Sequence, residues 1–264
     1  MIRKEQKIFF ETFGFLVLKR SVSPPEMQEI TEAFDQVMAE VRAADSGGDE
    51  PPPLTTKFVI DPGFIERHKT LKKIADDPRI YGTVEGLLGA GAYYAGSDGA
   101  LRVGDTNWHP DQGWDPSIPE GRLDPNLTER SGHYYPGIKV AIYLEALLAG
   151  QGCLSVVPGS IHSPFHERRW LLHCDISDRG EHLLQGNRIN QFGVNPSEVP
   201  CFAIESHPGD VVFFSHQIWH ASFGGEPGRR MIALAFKEAA TNEQRRAYKA
   251  RHEQQYRNVE SRDS

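Results

Sequence analysis

The chain has 264 residues, 29 Lys and Arg against 36 Asp and Glu, and a formal charge of −7, so it lacks the basic footprint that nucleic acid or an anionic membrane surface requires. With 39% hydrophobic and 25% charged residues it can bury a sizeable core, which excludes a disordered or collagen-like chain. No stretch approaches the roughly 18 apolar residues of a membrane span. The run from Ile8 to Leu18, broken by Glu11 and Thr12, is too short and charged for a secretory leader, and Cys153, Cys174 and Cys201 form no disulfide or zinc pattern. A cytoplasmic protein is expected, with residues 1–264 forming one domain.

The first ninety residues read mainly as helix. Ser23-Pro24-Pro25-Glu26 is a capping box with proline at the first helical position. Met27, Ile30, Phe34, Val37, Met38 and Val41 then recur at three- and four-residue steps as one apolar face. Asp45 to Pro53 is a loop, and Asp77-Pro78 opens a second helix that Gly89 stops. From about residue 91 the texture changes to short apolar runs between Gly, Pro and Asp turns. Strands are expected at Leu101–Val103, Trp108–Asp111, Ile138–Leu144, Leu154–Val157, Val211–Phe214, Ile218–Ser222 and Arg229–Phe236. Many short strands with few helices between them imply an antiparallel sandwich or barrel. His166 to Pro200 reads as an insert, and Thr241 to Tyr256 as a charged outer helix.

Three places carry chemistry. In a strand, residues two apart share a face, so His109 and Asp111 can aim an imidazole nitrogen and a carboxylate oxygen at one point. His220 lies 111 residues after His109, and only a fold that joins the two strands unites them. Two histidines and one carboxylate make a facial triad, which leaves three octahedral positions open and suits non-haem Fe(II). Arg229-Arg230 follows the loop Gly224–Gly228. If that loop closes a hairpin pairing Ser222 with Arg229, then His220, Ser222 and Arg229 share a face, and a guanidinium beside a hydroxyl receives a carboxylate. A one-residue bulge exchanges Arg229 for Arg230, so register decides between them. Trp114, His133, Lys139 and Trp219 are candidate substrate contacts, and Lys139, if it points inward, must meet a carboxylate. His216, four residues before His220, is a weaker ligand candidate.

In this order the motifs resemble the phytanoyl-CoA dioxygenase-like (PhyH) family of Fe(II)/2-oxoglutarate oxygenases. Phe9 to Leu18 is similar to its N-terminal signature, His109-x-Asp111 to its proximal metal motif, and Gly152 to Ser160 to its Pro-Gly-Ser turn. Gly209-Asp210, then His220-x-Ser222 and Arg229, fit the distal half. Ile161 departs from the usual turn histidine, and His162 follows it. Asp111 also sets the chain apart from halogenating relatives, which carry a small residue there. The resemblance implies a mainly β fold with flanking helices, a double-stranded β-helix (jelly roll, cupin-like). It implies that His109, Asp111 and His220 hold Fe(II), and that Arg229 and Ser222 bind the far carboxylate of 2-oxoglutarate. O2 is the oxidant, succinate and CO2 are released, and a small molecule is hydroxylated or desaturated. The competing reading keeps the metal site without 2-oxoglutarate, as a cupin-like isomerase, hydrolase or dioxygenase. A binding module with a vestigial triad is the third.

Overall fold

The computed structural model describes residues 2–47, 58–60, 62–102, 104–111, 137–161 and 199–238. Trp114, His133, most of the expected insert and the C-terminal helix lie outside them.

Among the described residues, four α-helices and two strands precede the β core: α1 (Lys4–Phe13), β1 (Phe15–Leu18), α2 (Pro24–Asp45), β2 (Phe58–Ile60), α3 (Lys69–Lys72) and α4 (Pro78–Leu88). The capping box opens α2 as expected, with the Ser23 amide and hydroxyl both donating to Glu26 Oε2 at 2.8 and 2.6 Å. Asp77 caps α4 by accepting from the Arg79 amide, and Gly89 ends it at φ +93°. The apolar face of α2 is buried from Met27 to Met38. Each such side chain, fully buried, contributes about 1.5–3 kcal/mol.

The remaining strands are β3 (Tyr93–Arg102), β4 (Thr106–His109), β5 (Gly137–Tyr143), β6 (Leu154–Val156), β7 (Phe202–Ile204), β8 (Val211–Ser215), β9 (His220–Ser222) and β10 (Arg229–Lys237). They form two antiparallel sheets, β1-β8-β5-β10-β3-β2 and β4-β9-β6-β7, the two halves of a jelly roll. One face of the large sheet, through Ile232, Leu234 and Phe236 of β10, joins the helical side chains Phe34, Val37 and Met38 in one apolar cluster. The N-terminal helices therefore back the sheet, and its other face is left to line the interior.

Three expectations need correction. β4 ends at His109, so Asp111 is not a strand residue. β3 begins eight residues before the expected Leu101. The Gly224–Gly228 segment is no hairpin: β9 belongs to the small sheet and β10 to the large one, so this loop crosses between them. Ser222 pairs with Thr106, and Arg229 with Arg102.

Candidate active site

His109 and His220 are direct Cα partners across β4 and β9, and their rings lie 4.3 Å apart. Between this pair and Thr106↔Ser222, β4 places two residues opposite one on β9. The extra residue is a bulge, which lets Thr106 and His109 both line the cavity despite their odd spacing, and such bulges recur beside active sites. Trp108 is turned to the opposite face, where it clusters with Trp219 and Val199.

Asp111 reaches the pair from just beyond the strand. Its Oδ1 lies 3.9 Å from His109 Nε2 and 3.8 Å from His220 Nε2, and one ligand atom from each of the three residues falls within 4.8 Å of the others. His220 Nδ1 is 2.9 Å from the Ile218 carbonyl, which can only accept, so Nδ1 carries the proton and Nε2 keeps its lone pair toward the cavity. Burial pushes the His220 imidazole down to about 4 although Asp111 opposes the shift, so it is neutral at neutral pH. Burial also disfavours the Asp111 carboxylate, yet the electrostatic pull of the groups around it, of which the Lys139 ammonium is the charged one at neutral pH, holds it below the usual range. Its Oδ2 is buried without a hydrogen bond. A neutral imidazole with a lone pair aimed inward and an ionised carboxylate with an unsatisfied oxygen are what a divalent cation requires, so the donor set fits a non-haem iron.

The second feature of the cavity is Arg229, 7% exposed at the start of β10. Its Nη1 donates to the Gly152 carbonyl at 2.6 Å and lies 3.4 Å from Ser222 Oγ, while Nη2 donates to the Gly104 carbonyl. Its Nε is buried without a partner, and among the described residues no carboxylate pairs with it. A buried guanidinium held by carbonyls and unmatched by an anion is costly until an anion arrives. Arg230 does the reverse: it leaves the cavity for Glu145 and for Asp35 of α2. Of the two arginines, Arg229 is the one that lines the cavity.

Lys139 does point inward. Its ammonium lies 3.5 Å from Asp98 Oδ1 and 3.6 Å from Asp111 Oδ2. Trp219 is fully buried behind β9 and does not line the cavity. His216 is buried outside the cluster that could hold a metal. Arg102, Thr106 and Tyr143 also line the cavity and were missed, because their strand positions gain meaning only from pairing: Arg102 faces Arg229, Thr106 faces Ser222, and Tyr143 faces Met231. Burial raises the Tyr143 hydroxyl, which stays protonated beside Arg229.

A jelly roll whose cavity joins a two-histidine, one-carboxylate cluster to an unmatched guanidinium has the fold of the cupin-like class and the donors to hold a metal ion and an anion. Residues 10–231 match phytanoyl-CoA dioxygenase (PhyH), and the chain belongs to that family, whose members are non-haem Fe(II)/2-oxoglutarate-dependent oxygenases. The fold is similar to that of HygX from Streptomyces hygroscopicus, solved with nickel and 2-oxoglutarate bound, at TM-score 0.64 and 16% identity over 90% of this chain and 88% of that one. It is also similar to SnoK, the non-heme alpha ketoglutarate dependent carbocyclase from nogalamycin biosynthesis, at TM-score 0.59 and 20% identity over 90% and 85%. EctD from S. alaskensis, in its apo form, gives TM-score 0.58 and 19% identity over 90% and 77%. No curated protein sequence matches the chain. Among the described residues, no helix is long and apolar enough to cross a membrane.

Proposed function

We propose that His109, Asp111 and His220 hold Fe(II) in this oxygenase, that Arg229 and Ser222 bind the far carboxylate of 2-oxoglutarate, and that the enzyme hydroxylates a small organic metabolite. The observation that carries the reading is Arg229: a buried cation without an anionic partner, lining the same cavity as the His-Asp-His cluster. A metal-dependent isomerase or hydrolase has no need of that second anchor.

His109, Asp111 and His220 would hold the ion from the protein side and leave it accessible from the cavity. When bound, the iron and its cosubstrate supply the oxidising power that ends in succinate, CO2 and an oxidised C–H bond. The protein's residues do the positioning. The Ile218 carbonyl fixes the His220 tautomer, and the Phe214 ring, 5.0 Å from the His220 ring, closes the apolar side of the imidazole. Arg229 takes the cosubstrate carboxylate in a charge-assisted hydrogen bond while the Gly152 and Gly104 carbonyls hold its guanidinium in place. Asp98 shares the Lys139 charge, which keeps that ammonium from becoming an uncompensated cation beside the metal.

The test is calorimetric binding of 2-oxoglutarate to metal-loaded protein, followed by succinate release across a metabolite library with Fe(II) and O2. Binding that requires both the metal and Arg229 supports the reading. Metal-loaded protein that binds no 2-oxoglutarate overturns it.

A further inference from the structure

The interior face of the large sheet can be read row by row from the register. Arg229, Arg102 and the Tyr143 end of β5 form one end. Next come Ala233 with Ala141 and Asp98, then Ala235 with Lys139, which is itself paired to Phe214. One step further, roughly 7 Å along the strands, Lys237 pairs with Gly137 and with Tyr93. Arg229, Met231, Ala233, Ala235 and Lys237 alternate with the core residues Ile232, Leu234 and Phe236, so Lys237 is on the same face of β10 as the cavity-lining Arg229, Met231 and Ala233.

Two features of this last row call for a ligand. The first is Lys237, half-buried, with no hydrogen bond and no carboxylate in ion-pair range among the described residues, whereas Lys139 in the preceding row has Asp98 and Asp111. The second is His216, 4% exposed and following β8, whose Nδ1 has no hydrogen-bond partner. Its imidazole lies over Gly137: a Cβ there would fall 2.5 Å from Nδ1, so glycine is what makes room for the ring. Gly137 is the cross-strand partner of Lys237, so the ring that fills the space over Gly137 shares a row with Lys237, and burial first, with the Lys237 charge next, keeps His216 neutral. Burial also brings the Lys237 ammonium down to about 8 despite the pull of Asp111, the mark of a cation short of compensation. Metal at Asp111 would remove even that pull. Lys237 thus repeats, at the other end of β10, the condition of Arg229.

We propose that Lys237, with His216 beside it, is the anchor for a carboxylate on the substrate, so that the oxidised molecule is a small organic acid. This rests on the function proposed above and adds a substrate class to it. The acid group binds one row beyond Lys139, and the reacting carbon lies between that anchor and the metal cluster.

The probes are two matched pairs, 3-phenylpropanoate with 3-phenylpropanamide and hexanoate with hexanamide. They are titrated into full-length protein loaded with zinc as a redox-inert ion and saturated with 2-oxoglutarate. The acids are expected to bind at least about tenfold more tightly than their amides. The preference disappears in Lys237→Met and persists in Lys237→Arg, and Lys237→Met melts no lower than wild type because it removes an uncompensated charge. Equal affinity of acids and amides for wild type, including no measurable binding of either, overturns the proposal, as does a preference that survives Lys237→Met. 2-Oxoglutarate binding is measured on the same samples. Its absence from wild type sinks the oxygenase reading, while the acid–amide comparison, repeated without cosubstrate, still reports on Lys237.

Discussion

Arg229 and Arg230 are consecutive residues whose guanidinium groups lie on opposite sides of the large sheet, one on carbonyls of the cavity wall and the other on Glu145 and Asp35. Their substitutions should therefore separate cleanly. Arg229→Met is expected to raise the half-saturating 2-oxoglutarate concentration about a hundredfold, the loss of one buried charge-assisted anchor, with little change in melting temperature. Arg230→Met should leave that concentration unchanged and lower stability by about 1–2 kcal/mol, because it cuts a link between α2 and the sheet. Succinate kinetics and denaturant unfolding of the two variants check both statements. A cosubstrate effect from Arg230 would reverse the assignment.

Acid should weaken the metal-free fold through its buried imidazoles. Burial takes His216 from its usual 6.5 down to about 3, and His220 down to about 4. Below pH 6.5 the unfolded chain therefore takes up protons that the folded chain refuses, and stability falls as pH drops from there toward the folded values. From pH 7 to pH 5 the expected loss is about 2 kcal/mol for each histidine. Urea unfolding at the two pH values reads it. His216→Gln, which cannot titrate, should flatten the slope, and an equally steep slope in that variant would count against the assignment.

The Gly209-Asp210 motif has a structural task. Asp210 is 2% exposed and accepts from the Arg20 and His207 amides and from Lys19 Nζ, each at 2.9 Å. It ties the segment after β1, where Arg20 sits at φ +52°, to the turn that feeds β8. Burial opposes its charge, but these donors hold its carboxyl below the usual range. Asp210→Ala is expected to cost about 3 kcal/mol, since it leaves buried amides without an acceptor. The half-saturating 2-oxoglutarate concentration should stay the same in whatever folds, because Asp210 does not line the cavity.

What could be read from the sequence follows the range over which each signal acts. The helix caps at Ser23 and Asp77 are local chemistry and stand where they were expected. The His109-Asp111 pair is nearly local, but its geometry arises from a bulge in β4 and a residue beyond the strand rather than from strand alternation. Most of β3 was hidden because Gly96-Ser97-Asp98-Gly99 has turn composition; its glycine is needed at position 99, where a Cβ would meet the Phe64 ring. β2 and β7, three residues each, are too short for periodicity to show. Arg229 and Ser222 do meet, but across the two sheets rather than along a hairpin, and no pattern in Gly224–Gly228 distinguishes those routes. Arg102 and Lys237 gain significance only from the strands beside them, which are distant in sequence.

The seat of Arg229 yields the last prediction. Gly152 and Gly225 both lie against its guanidinium, and a Cβ on either would overlap it. Gly152 also has φ +84°, so alanine there strains the backbone as well. Gly225 carries no such constraint, and Gly225→Ala acts through the overlap alone. The guanidinium cannot yield without losing the Gly152 and Gly104 carbonyls that hold it. Gly225→Ala should therefore raise the half-saturating 2-oxoglutarate concentration about tenfold, with the metal affinity unchanged, because the atoms nearest an added Cβ are all in the Arg229 guanidinium. If the effect passes through Arg229, adding Gly225→Ala to Arg229→Met should change nothing further, the non-additivity expected of groups in contact. An additive double variant would mean that the loop, and not the seated guanidinium, governs cosubstrate binding.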